Sequence, residues 1–316
     1  MKENIWVVGA GPMAQDYVKV LQGLKRSFTV IGRGEENSAK CAEKTGCAVI
    51  SGGLEKFLGG KPLLCSHAIV AVGVEKLYET TCLLLEYGVK NILLEKPGAL
   101  FSEQFDMLAS LTDRKSADVL IAYNRRFYTA VKEARKIIED DGGVTSFNFE
   151  FTEWAHVIEP LQKAEGVKEN WFLCNSTHVV DLAFFLGGKP KNFCAFISGG
   201  LDWHPSSSVF SGAGVSENGA LFCYQANWES AGRWSVEVLT KEHRLVFRPM
   251  EKLQIQKRGS VSLEFADIDY VLDTDYKPGL YLQTERFLKG DKTDMCTFKE
   301  QYEMYRIYKK MVTGNV

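Results

Sequence analysis

Short apolar runs alternate with helical spacings along the first part of the chain. Ile5-Trp6-Val7-Val8, Phe28-Thr29-Val30-Ile31, Ala68 to Val72, Val89 to Leu94 and Val119 to Ala122 are each four to six residues long and read as buried strands. Between them apolar residues recur on one helical face. Met13, Tyr17, Val18, Leu21 and Leu24 mark the first helix, a second runs from about Glu35 to Gly46, and a third from Leu77 to Tyr87 before Gly88. A fourth carries Phe105, Leu108 and Leu111 behind Ser102, which is placed to cap it. Strand and helix in alternation predict a doubly wound parallel sheet over residues 1–122.

Beyond Tyr123 the period changes. After a helix from Tyr128 to Glu139, Phe147, Phe149 and Phe151 alternate with polar residues, and further strand-like runs cover Asn192–Ser198, Ala220–Trp228, Arg233–Thr240, Arg244–Arg248 and Lys252–Lys257. Residues 123–316 are therefore expected to form an α+β domain with an open, mainly antiparallel sheet. The segment Asn175 to Leu186 is apolar almost all round and reads as a buried helix, capped by Asn175 or Ser176, with His178 in its first turn. Two closing helices, Leu280–Leu288 and Phe298–Met311, are free to pack back on the first domain.

Candidate chemistry sits where strands end. Gly9-Ala10-Gly11-Pro12-Met13-Ala14 gives G-x-G-x-x-A between the first strand and its helix. Gly9 permits the tight turn, Gly11 lets a pyrophosphate approach the backbone, Ala14 allows close helix packing, and the helix N-terminus offers its N–H groups to the anion. A plain strand–helix turn is the bland reading, and the correct order of strand, turn and helix weighs against it. The second strand ends in Gly32-Arg33-Gly34 rather than in an acid. A guanidinium there suits a 2′-phosphate and favours NADP(H) slightly over NAD(H), although Glu35 and Glu36 follow within reach of a ribose. Val72-Gly73 closes the third strand on the same edge. Ile92-Leu93-Leu94 runs into Glu95-Lys96-Pro97, where proline steers Lys96 to an extended conformation at the ligand-binding edge of the sheet. Taken alone, that lysine is an ordinary loop residue.

Composition narrows the classes without naming one. A hydrophobic fraction of 45% and a charged fraction of 25% are ordinary for a globular protein, and a net charge of −2 with no basic run argues against nucleic acid as a partner. The first strand begins at Ile5, which is expected to leave no room for a leader, and no apolar run reaches the roughly 20 residues of a membrane span. Eight scattered cysteines without a C-x-x-C pair suit a reducing, cytoplasmic setting, and five well-separated histidines predict no metal site.

Four stretches in register resemble the glucose–fructose oxidoreductase, inositol dehydrogenase and MocA (Gfo/Idh/MocA) family: Gly9 to Ala14, Glu95-Lys96-Pro97, Tyr123-Asn124-Arg125-Arg126-Phe127, and His178-Val179-Val180-Asp181-Leu182. The resemblance implies a Rossmann domain and a nicotinamide-dependent dehydrogenase of sugars, polyols or nucleotide-linked sugars. It implies Lys96 as the catalytic lysine with His178 as its partner, and Glu95 and Pro97 as shapers of the cofactor pocket. Tyr123, Asn124, Arg126, Cys174 and Asp181 would then lie close to cofactor or substrate. It also implies a homodimer or homotetramer paired through the second-domain sheet. Three positions depart from the pattern. Cys174 stands where many relatives carry an aspartate four residues before the histidine, Gly73 to Tyr78 replaces a Thr-Pro-Asn-x-x-His stretch, and the ribose-binding acid is missing.

The expected reaction is hydride transfer at a carbinol or ketone carbon, with Lys96 as proton donor or acceptor and its ammonium disfavoured by burial and by a neighbouring cationic ring. The sequence does not rank Lys96 against His178 as the nearer group. Two rivals share the fold: a dinucleotide-binding regulator that has lost the chemistry, and a reductase of a non-sugar such as a linear tetrapyrrole, as in biliverdin reductase. A structural role for His178 and Asp181, tying helix to sheet, is the bland alternative.

Overall fold

The computed structural model describes residues 4–314, which fall into two compact units. The first runs up to Asn124 and takes in Leu272–Tyr302; the second holds Arg125–Val271 and the tail from Glu303.

The first unit is built from β1 (Ile5–Val8), α1 (Pro12–Gly23), β2 (Phe28–Ile31), α2 (Glu35–Thr45), β3 (Val49–Ile50), α3 (Gly53–Gly59), β4 (His67–Val70), α4 (Leu77–Tyr87), β5 (Asn91–Leu94), α5 (Ser102–Lys115) and β6 (Asp118–Ile121). Strands β6-β5-β4-β1-β2-β3 lie side by side in that order, all parallel. The order reverses between β1 and β4, and at such a switch point the carboxyl ends of neighbouring strands open a crevice. Every residue of β1 and the last three of β4 and β5 are buried, which explains their unbroken apolar runs. The two-residue β3 is too short to show a period, and α3, a single stretch with Leu54, Phe57 and Leu58 at helical spacing, is likewise not among the elements expected from sequence. Ser102 is the first residue of α5 rather than its cap. The Gln104 side-chain oxygen does the capping, accepting from the N–H groups of Leu100 (2.9 Å) and Phe101 (3.2 Å).

The second unit contains α6 (Thr129–Asp140), β7 (Ser146–Glu150), α7 (Ala155–Ile158), α8 (Thr177–Gly187), β8 (Pro190–Ser198), β9 (Val209–Ser216), β10 (Leu221–Asn227), β11 (Ser235–Leu239), β12 (His243–Phe247), β13 (Gln254–Lys257) and β14 (Glu264–Phe265). Its sheet has the order β14-β13-β12-β11-β7-β10-β9-β8. All neighbours are antiparallel except β7 and β10, which run parallel because the helical segment around α8 and the β8–β9 pair intervene between them. Strand β9, interrupted by two glycines, is absent from the sequence reading. One face of the sheet is an aromatic core: Phe147 and Phe149 pack on Phe184 of α8 with ring centroids 6.0 and 5.4 Å apart. On the other face Cys194, Phe196, Leu221 and Cys223 are exposed.

The chain closes with α9 (Val271–Asp275), α10 (Leu280–Lys289), β15 (Cys296–Thr297) and α11 (Phe298–Thr313). Helix α10 packs on α1, and β15 adds an antiparallel edge strand beside β6. The division at residues 122 and 123 thus shifts to 124 and 125, and the sheet of the first unit gains a seventh strand from the far end of the chain.

Candidate functional site

The turn between β1 and α1 is shaped on both sides by backbone. Gly9 has φ of +134°, and a Cβ there would run into the carbonyl oxygen of Ala71 at the end of β4. Gly11 is the N-cap of α1, with no side-chain cap, and a Cβ on it would meet nothing within 4 Å. Pro12 occupies the first helical turn and is exposed, Met13 is half-buried, and Ala14 is fully buried against the sheet. An uncapped helix start beside open space, with no side chain in the way, fits a pyrophosphate. Gly32 follows β2 and is held close: a Cβ there would strike the Ser38 hydroxyl, which donates to the Gly34 carbonyl (2.7 Å). Arg33, Glu35 and Glu36 are all exposed at that strand end, so the side chains that would sort the two dinucleotides lie together.

After β4, Val72 leads to Gly73, whose missing Cβ leaves room for the Glu75 carboxylate at 2.5 Å from the Cβ position. Sequence reading passed over Glu75 because an acid in a polar loop carries no pattern. The same holds for Tyr17. Read as a core residue of α1, it is fully buried but donates its hydroxyl to Glu95 Oε1 at 2.8 Å. Burial pushes the Glu95 carboxyl upward, opposed by the Tyr17 bond and by the charges of Lys96 and Lys277. Lys277, at the start of the returning segment, lies 2.9 Å from the Met13 sulfur and 3.6 Å from Asp16.

Lys96 is half-buried after β5, joined to Pro97 by a cis peptide. The loop is braced from the far end of the chain. Gln301 of α11, fully buried, donates to the Pro97 carbonyl (2.9 Å) and accepts from the Tyr123 hydroxyl (3.1 Å). Asn124 donates to the Pro278 carbonyl (2.9 Å). The polar tips of Tyr123 and Asn124 are thereby bonded within their own unit. No sequence signal marks Gln301, since it falls on an amphipathic helix where an amide is unremarkable.

In the second unit the helix that carries His178 begins earlier than its capping residues suggested. Trp171 is already helical, and Phe172–Ser176 form a π-helical turn that continues into α8. His178 therefore lies seven residues into the helix rather than in its first turn. Cys174 is buried within the π turn. Glu153, also buried, accepts at Oε1 from Asn175 Nδ2 (2.9 Å) and Ser176 Oγ (2.8 Å), the residues just ahead of His178. Burial raises the Glu153 carboxyl against those two bonds.

Arg126 and Asp181 engage each other in a two-pronged ion pair, Nε to Oδ2 at 2.8 Å and Nη2 to Oδ1 at 2.5 Å, with both side chains almost wholly buried. Their charges tie the start of the unit to α8. The Trp234 ring lies 6.4 Å from that of His178. The guanidinium groups of Arg125 and Arg233 lie 4.8 and 4.7 Å from the Trp234 centroid, and Arg233 is also 4.8 Å from exposed Trp154. Arg125, Arg233 and Trp234 are not among the residues expected from sequence. An arginine beside a tryptophan just ahead of a strand was the available signal.

Three of the other histidines have partners of their own, and the fourth is exposed. His204 is buried against the Ser207 carbonyl (2.7 Å), His243 pairs with Asp141 (2.8 Å), His67 packs edge-on to Phe287, and His156 is exposed on α7. Trp203 stacks on Trp228 (5.9 Å). Among the described residues no group of three or more His, Cys, Asp or Glu is arranged to hold a metal ion, and no helix is long and apolar enough to cross a membrane.

Residues 4–123 match the model of the GFO_IDH_MocA oxidoreductase family, its NAD-binding Rossmann fold. Among curated proteins no sequence matches the chain. Solved structures resemble it along nearly its whole length. UDP-N-acetylglucosamine 3-dehydrogenase GnnA from Acidithiobacillus ferrooxidans is 15% identical, with 98% of this chain and 96% of that one covered and a TM-score of 0.73. Levoglucosan dehydrogenase, in complex with NADH and levoglucosan, is 18% identical over 99% and 96% of the two chains, with a TM-score of 0.77. An NAD-binding oxidoreductase from Klebsiella pneumoniae is 15% identical over 98% and 96%, with a TM-score of 0.75. At these identities the likeness is one of fold.

Proposed function

We propose, from the match of residues 4–123 to the NAD-binding Rossmann fold of the Gfo/Idh/MocA oxidoreductase family, that the chain is an NAD(P)-dependent dehydrogenase of a sugar, polyol or nucleotide-linked sugar. The observation that carries this reading is the uncapped, unobstructed glycine turn at Gly9 to Ala14 together with a half-buried lysine, Lys96, at the end of β5 of the same sheet. The dehydrogenases of similar fold named above act on sugar hydroxyls, in keeping with it.

When bound, the nicotinamide supplies a hydride acceptor or donor. Gly9, Gly11, Pro12, Met13 and Ala14 hold the pyrophosphate on the start of α1, and Gly32 and Arg33 receive the adenosine ribose. Val72, Gly73, Glu95 and Pro97 line the way to the nicotinamide. Glu95, held by Tyr17 and favoured in its charged form by Lys96, keeps the lysine loop in register. Lys96 carries the proton to or from the substrate oxygen, and His178 orients or relays it; acid–base help of this kind is worth roughly 10² to 10⁴ in rate. Tyr123, Asn124, Arg126, Cys174 and Asp181 act on the substrate through the framework they brace.

Exposed Arg33 and the lack of an acid at the end of β2 favour NADP(H) slightly over NAD(H). The open face of the second sheet, with Phe196 and Leu221 exposed, favours a homodimer or homotetramer, and the scattered cysteines favour the cytoplasm. The test follows reduced-nicotinamide absorbance with sugars and nucleotide sugars, using each dinucleotide. Turnover by the native chain, lost by roughly 10² or more in Lys96→Met while dinucleotide still binds, is the expected result. Full activity in Lys96→Met removes the lysine assignment. Dinucleotide binding without turnover of any substrate points instead to a regulator that has lost the chemistry.

A further inference from the structure

The second unit holds two arginines whose donors are not used up. Arg125 gives one hydrogen bond from its guanidinium, to the Tyr128 hydroxyl (3.0 Å), while its buried Nε has no partner among the described residues. Arg233 lies over Trp154 and Trp234, half-exposed, and no hydrogen bond from its side chain is formed among the described residues. Each already faces one carboxylate at long ion-pair range, Glu251 at 3.7 Å from Arg125 and Glu153 at 3.9 Å from Arg233, but neither contact is short enough to be a hydrogen bond. Glu153 has its Oε1 taken by Asn175 and Ser176. Trp234 is 7% exposed, and its buried indole N–H also has no acceptor among the described residues. Arg125 Nε and Trp234 Nε1 are thus buried donors without acceptors, a costly arrangement for a protein to keep unless something else supplies them.

What would satisfy them is rich in acceptor oxygens and negative. Guanidinium groups match carboxylates and phosphates in geometry as well as charge, and stacking on indole holds their planes in place. His178 sits one tryptophan ring away, at 6.4 Å from Trp234, so a charge received here belongs to the same small molecule as a hydroxyl at the histidine.

We propose that the substrate carries an anionic oxyacid group, a carboxylate or a phosphate, and that Arg125 and Arg233 on the Trp234 ring receive it. The inference rests on the dehydrogenase reading for the identity of the hydroxyl-bearing end, but not for the existence of the anion site. Neutral sugars and polyols are then poor substrates, and uronic acids, sugar phosphates and nucleotide sugars are the class to search.

The experiment titrates the full chain, loaded with reduced dinucleotide, with glucuronate, glucose 1-phosphate, UDP-glucose, glucose and myo-inositol by calorimetry, while a parallel assay with oxidised dinucleotide follows turnover. At least one charged probe should bind about tenfold or more tightly than glucose, and the advantage should shrink as salt is raised. Which charged probe wins separates carboxylate from phosphate. Arg233→Gln, at a half-exposed position that tolerates substitution, should abolish the advantage and raise KM far more than it lowers kcat, while Arg233→Lys restores part of it. If no charged probe outbinds glucose, or Arg233→Gln leaves the ratio unchanged, the proposal is wrong. Turnover of neutral sugars without preference for charge leaves the dehydrogenase standing and removes the anion site. Preferential binding of a charged probe with no turnover of any does the reverse.

Discussion

Arg126 and Asp181 show how a charged pair can belong to the frame of a site. Removing one partner leaves a buried charge uncompensated, so Arg126→Ala should lower stability by about 3 to 5 kcal/mol, while a matched apolar pair at both positions should recover most of it. Urea unfolding of the single and double variants checks this, and equal losses in both would deny the pair its role. Glu153 gives a pH signature. Its carboxyl is raised by burial above the ordinary 4.5, so the folded state holds its proton longer than the unfolded state does. That contribution to stability is present below pH 4.5 and is lost as pH rises through the folded value. Glu153→Gln keeps an oxygen for Asn175 and Ser176 but cannot ionise. Its urea midpoint should therefore gain on the native chain between pH 4.5 and pH 8, and parallel curves would contradict the assignment. None of these residues announces its partner in sequence, because a carboxylate 23 positions from the serine it accepts from leaves no local period.

At the scale of elements, the turn joining β1 to α1 is legible because its constraints are local. Gly9 at φ +134° abuts the Ala71 carbonyl at the end of β4. Gly9→Ala should cost roughly 2 kcal/mol or more through clash and backbone strain together, seen as a lower melting temperature with and without dinucleotide. Gly11→Ala adds its methyl to open space and should leave the melting temperature of the apo chain nearly unchanged. Equal effects at the two glycines would show that the turn is not packed as described. The helix bearing His178 was harder to read. Its capping residues were chosen by type, Asn175 and Ser176, but both sit inside a π turn and bond to Glu153 instead. A polar side chain that prefers caps serves equally well wherever a buried acceptor waits for it.

For the whole molecule, the exposed face of the second sheet invites pairing. Phe196 and Leu221 are each 65% exposed on one face of that sheet, two strands apart. Light scattering should give a mass at least twice that of the 316-residue chain, and Phe196→Glu should reduce it. A monomeric native chain would show that the face is simply tolerated.

Both sheets, their strand classes and most helices were open to reading because hydrophobic period is a local property: a buried parallel strand is apolar throughout, and a one-sided strand alternates. The glycine turn was legible for the same reason, being a few consecutive residues set by backbone freedom, and so was the place of Glu95-Lys96-Pro97 at a strand end, although a role for the lysine came only from the resemblance. Tertiary structure alone decided the rest. It brought Gln301 to Pro97 and Tyr123, carried Cys296 and Thr297 into the first sheet, and bonded Arg126 to Asp181. It also set the guanidinium groups of Arg125 and Arg233 against Trp234, whose ring lies 6.4 Å from that of His178. These pairings depend on distance through space between residues far apart in the chain, and no periodicity encodes that distance.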